Sequence, residues 1–62
     1  MRLTLDPLSG RPAYQQIDAQ VTGMIEAGTL GPGDRLPPER ELALELGVSR
    51  MTIRQAFDAL AR

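Results

Sequence analysis

The sequence contains no cysteine, no histidine and no tryptophan, and its seven basic residues are all arginine. Without cysteine there is no disulfide framework, and without histidine as well there is no Cys/His zinc site to brace so short a chain. The same gaps remove the commonest general base and the thiol nucleophile. The carboxylates are scattered over helical patterns, and no glycine loop has phosphate-cradling spacing. An enzyme, a bound cofactor and a metal site are therefore not expected. No apolar run approaches the roughly 20 residues that cross a bilayer, and the start lacks the basic flank and apolar block of a signal peptide. The chain reads as cytoplasmic, with no membrane partner. Its 62 residues make one small domain, of a size that buries only about 60% of its unfolded surface.

Charge is the second shortage. Eight acids against seven arginines leave a net charge of −1, whereas a nucleic-acid module is expected to be basic on at least one face. The distribution matters more than the total. From residue 49 onward Arg50, Arg54 and Arg62 face only Asp58, while the other acids lie upstream. Groove contacts act at hydrogen-bond range, and distant charges are screened within about 10 Å at 0.1 M salt.

What is present is helical periodicity, broken by glycine and proline. Residues 1–11 form an arm: Met1, Leu3 and Leu5 alternate and the breakers Asp6-Pro7-Leu8-Ser9-Gly10 follow. A loose, extended segment is expected there. Pro12 suits a helix start. Tyr14, Ile17, Val21, Met24 and Ile25 then recur on one helical face until Gly28. Gly23 lies inside that helix, at a cost of roughly 0.5–1 kcal/mol relative to alanine unless a neighbour packs closely on it. The connection 28–38 holds three glycines and three prolines, with Leu30 and Leu36 as expected core anchors. A second helix starts at Pro38 or Glu39 and ends near Leu46, and a third follows Ser49.

The junction of those last two helices is the most informative stretch. Leu42, Ala43 and Leu46 supply one apolar side, and Ile53, Ala56, Phe57 and Leu60 the other. Ala43 is small enough for a helix crossing, Gly47 accepts the left-handed conformation, Val48 tucks under the turn, and the Ser49 hydroxyl caps the third helix. At 100° per residue, Met51, Arg54 and Gln55 point away from Ile53, with Arg50 and Thr52 on the flanks. Arginine grips guanine O6 and N7, or a phosphate, with two parallel hydrogen bonds. Threonine bonds a phosphate or touches a thymine methyl. Any αα-corner with a glycine turn would share the packing pattern, and Arg54 alone could simply pair with Asp58 one turn on. Two readings follow: a DNA-reading helix, or a small helical protein–protein docking module using Met51 and Gln55.

Four linked motifs extend this pattern: Pro12-Ala13-Tyr14-Gln15-Gln16-Ile17, Gly28 to Pro37, Glu39-Arg40-Glu41-Leu42-Ala43, and Leu46 to Ala56. In this order and spacing they resemble the DNA-binding domain of the GntR family of bacterial transcriptional regulators, over nearly everything from Pro12 to Leu60. The run Ser49 to Ala56 is most similar to the HutC-like branch, and less so to the branch fused to an aminotransferase-like domain. The resemblance implies that residues 12–62 are the helix-turn-helix part of a winged helix-turn-helix domain, truncated before the wing. It further implies a sequence-specific regulator, commonly a repressor, that acts as a homodimer on double-stranded operator DNA. A small-molecule effector would act through a following domain. Carried over position by position, it implies DNA contacts by Arg40, Arg50, Thr52 and Arg54, with Ser49, Met51 and Gln55 near the interface.

Two departures shape the expectations. Pro38 stands where the family commonly has a serine that forms a capping box, which costs about 1 kcal/mol of capping. The chain also ends at Arg62, before the β-hairpin wing and the effector domain. The expected fold is thus an all-α, three-helix helix-turn-helix core lacking its wing, a fragment of a longer regulator with little or no β-structure.

Overall fold

The computed structural model describes every residue except Met1, Pro32 and Arg62. The readings that fell on those three, in the alternating arm, the connection and the basic end, lie outside the described residues. Three helices follow in order: α1 (Ala13–Glu26), α2 (Glu39–Leu46) and α3 (Arg50–Leu60). Among the described residues there is no strand, as the all-α expectation required. No helix is long and apolar enough to cross a membrane among these residues.

Each boundary has a local cause. The Pro12 carbonyl accepts the first bonds of α1, from Gln15 N and Gln16 N at 3.1 and 3.2 Å. At the other end Gly28 adopts φ +81°. Gly28 N bonds Ile25 O at 3.1 Å and Thr29 N bonds Met24 O at 2.9 Å, the paired closure of a Schellman motif. Helix α2 opens after Pro38 with no side-chain cap, as the missing serine implies, and carries Glu39 and Glu41 in its first turn, where the helix dipole favours acids. It ends at Gly47, φ +71°, and Val48 N closes onto Ala43 O at 3.0 Å. Ser49 caps α3, its Oγ accepting from Thr52 N at 3.2 Å.

Helix α3 packs against both α1 and α2. The core it organises consists of Ile17 and Val21 of α1, Leu42 and Ala43 of α2, Ile53 and Ala56 of α3, and Leu3 of the arm. Ile17 and Ile53 are fully buried. Tyr14, Met24, Leu30, Leu46, Val48, Phe57 and Leu60 are half-buried around this centre.

Two expectations need correction. The arm is not loose against the domain, because Leu3 is a core residue. It is also bonded to α1: the Gln20 amide pairs with both backbone groups of Thr4, at 3.0 and 2.6 Å. The Gln16 Oε1 accepts from Asp6 N at 2.8 Å, and its Nε2 lies 2.9–3.1 Å from Asp6 O, Ser9 Oγ and Arg11 O. Ile25 is 53% exposed and Leu36 37% exposed, so neither is a core residue. Both line an open cleft with Val21, Leu30 and Leu60 that no described element covers. Gly23 makes no close approach: a Cβ placed there meets nothing within 4 Å.

Candidate nucleic-acid interface

The α2–turn–α3 unit sets out the residues singled out from the sequence. Gly47 turns the chain in the left-handed region, and Ser49 starts α3 immediately afterwards. Because Ile53 and Ala56 are drawn into the core, the helical period turns Met51, Arg54 and Gln55 outward. All three are exposed, Met51 by 66%. Arg50 and Ser49 are exposed as well, and Thr52 is half-buried on the flank. The Ser49 and Thr52 hydroxyls lie 3.1 Å apart. Arg40 sits exposed on α2 and has no hydrogen bond or ion pair through its side chain among the described residues.

The arrangement brings Arg50 and Arg54 together through an acid at the start of α2. Glu39, first residue of α2, receives a fork from Arg54: Nε donates to Oε2 at 3.4 Å and Nη2 to Oε1 at 3.1 Å. Arg50 Nη2 lies 3.8 Å from the same Oε1. Arg54 therefore pairs with Glu39 rather than with Asp58 on its own helix, which contributes only a minor charge effect. The hydrogen bond from Arg54 holds the Glu39 carboxyl below its ordinary value of 4.5; partial burial opposes this, and the charges of Arg54 and Arg50 reinforce it. The same bond raises Arg54. No local signal could have found this link, because Glu39 and Arg54 are 15 residues apart and belong to different helices.

The exposed side of α3 thus combines two guanidinium groups, two hydroxyls, an amide and a thioether, with an anion held at the edge. Such a surface can donate hydrogen bonds to phosphates and base edges. The start of α3 adds free backbone N–H groups of the kind that attract phosphates. Arg40 remains apart from this cluster in its bonding, although it lies on the adjoining helix.

Residues 13–62 match the model of the bacterial regulatory proteins of the gntR family. The chain is 41% identical over 58 residues to the HTH-type transcriptional regulator Rv1152 of Mycobacterium tuberculosis, covering 94% of this chain and 48% of that protein. It is 43% identical over 58 residues to the HTH-type transcriptional repressor NagR of Bacillus subtilis, covering 94% of this chain and 24% of the relative. Among solved structures, YtrA from Sulfolobus acidocaldarius, a GntR-family transcription factor, superposes with a TM-score of 0.88 at 42% identity. That match covers 95% of this chain and 63% of YtrA. The chain therefore spans about half or less of the length of these two curated relatives.

Proposed function

Since the chain belongs to the gntR family of bacterial regulatory proteins, we propose that it is the operator-reading domain of a transcriptional regulator, with α3 inserted in the major groove. The carrying observation is the outward face of α3, where Arg50, Met51, Arg54 and Gln55 are exposed beside a capped helix start. In this reading Arg50 and Arg54 contact guanine edges or phosphates. Thr52 and Ser49 anchor the first turn on the backbone, and Met51 and Gln55 meet base edges. Arg40 reaches a phosphate at the groove edge from α2. The longer protein binds as a homodimer on a two-fold site, with half-sites about 34 Å or a multiple apart. It includes the wing, and a small-molecule effector controls it through a further domain of the HutC-like kind. Repression by occupying the operator fits this reading, and the similar protein NagR is named a transcriptional repressor.

The test starts with the full-length protein and a random duplex pool, from which the preferred site is selected. On that site Arg50→Ala and Arg54→Ala should each lose about ten- to a hundredfold in affinity at fixed salt if the residue reads a base. Unchanged affinity in both variants would remove the assignment. Binding that does not vary with salt would instead favour a protein-docking surface centred on Met51 and Gln55, because phosphate contacts impose a steep salt slope.

A further inference from the structure

We propose that Glu39 is a specificity-setting residue: by taking one edge of the Arg54 guanidinium, it leaves the other edge to read a guanine and turns the arginine away from phosphate. The inference rests on the operator-reading role of α3. Glu39 engages Nε and Nη2 of Arg54 at 3.4 and 3.1 Å, the side edge of the guanidinium. The remaining donors are on Nη1 and the second hydrogen of Nη2. Those two nitrogens form the end edge, a second pair of parallel N–H groups with the spacing that matches guanine O6 and N7. The arginine is thus divided between two acceptors, one already present in the free protein.

Three further observations point the same way. The Arg54 side chain is 52% exposed while that of Glu39 is 27% exposed, so the acid forms the inner wall and the guanidinium keeps a solvent-facing part. The carboxyl is held below its ordinary value, so it is ionised under working conditions. Its Oε1 also lies 3.8 Å from Arg50 Nη2, which places a single negative charge beside both cations of the reading face. A phosphate approaching Arg54 would meet that carboxylate well inside the screening length. A guanine edge offers neutral acceptors and meets no such repulsion. The bond also orders a long, freely rotating side chain before DNA arrives, which reduces the ordering cost on binding.

The probe is the selected duplex together with a panel substituted at each base pair and a random duplex, measured with full-length protein at fixed salt. Glu39→Gln, which keeps the size and removes the charge, should weaken the preference at one G·C pair by about tenfold and tighten binding to random duplex. Arg54→Lys keeps the positive charge but has no fork, and should lose preference at that same pair even with Glu39 in place. The double variant should lose no more than either alone. Thermal melting of each variant shows whether the fold is kept, and position-resolved preference is a readout that a merely structural carboxylate would not move. Glu39→Gln protein that binds all duplexes more tightly, or all more weakly, with every base preference intact would overturn the proposal while leaving operator reading untouched. Wild-type protein without any base preference would instead overturn operator reading, and this proposal with it.

Discussion

The arm-bearing side of α1 and the outward face of α3 solve the same problem in opposite ways. Each includes bonds between residues 10 to 16 apart in sequence. On α1, neutral glutamine amides grasp backbone groups: Gln20 on Thr4, and Gln16 on Asp6 and Arg11. On α3, charged arginines grasp a charged side chain, Glu39. An amide on a backbone group has few alternative partners and little sensitivity to salt. An exposed ion pair is weak and screened by salt. The first region satisfies its own polar groups, and the second leaves the end edge of Arg54 free for an outside acceptor. The difference shows where this small domain invests in stability and where it keeps binding groups available.

The comparison can be broken most severely at the arm. Leu3→Ala removes a core side chain and should cost about 2–3 kcal/mol, a large share of the stability expected for a domain of this size. Urea unfolding would measure it, and a cost near zero would show that the arm does not belong to the cooperative unit. Gln16→Ala should cost on the order of 1 kcal/mol by releasing the Asp6 N–H and its neighbours. Its effect should be the same at low and high salt. Gly23→Ala tests the platform itself. With open space around the added Cβ, the substitution should stabilise by roughly 0.5–1 kcal/mol, read as a raised melting temperature.

Acid gives the smallest effect and acts on the other region alone. Glu39 has a folded-state value below its ordinary one. Its contribution is therefore fully present above about 4.5 and is lost as pH falls through the depressed value. The melting-temperature gap between wild type and Glu39→Gln should be constant near neutrality and close in the acid range. The Gln16 and Gln20 amides carry no ionisable proton, so the gap between wild type and Gln16→Ala should not follow that curve. A Glu39 gap that stays open at low pH would mean that the residue contributes by packing.

The parts of the molecule legible in the sequence are those with local causes. Gly47 had to end α2 because it takes φ +71°, and Ser49 had to cap α3 because its hydroxyl lies within reach of Thr52 N. The burial of Ile53 and Ala56 and the exposure of Met51 followed from helical period alone. The parts that escaped depend on distant segments. Gln16 and Gln20 stand one turn apart on α1, and that spacing, beside the alternating Leu3 and Leu5, was the available sign that the arm returns to this helix. Ile25 and Leu36 are apolar and were assigned to the core, but burial needs an element on the other side, and among the described residues none covers their cleft. Glu39 had a sufficient local explanation in the helix dipole, which concealed its second role. The parts of the reading face were recognisable one by one, whereas the bond that connects them arises only when α2 crosses α3.

The burial of Leu3 also has a practical side. A purification tag or reporter joined ahead of Arg2 would begin one residue from a side chain that is only 6% exposed, beside a backbone strip already paired with Gln20. Melting curves taken with and without such a handle would show how far the anchoring of Leu3 depends on what precedes it.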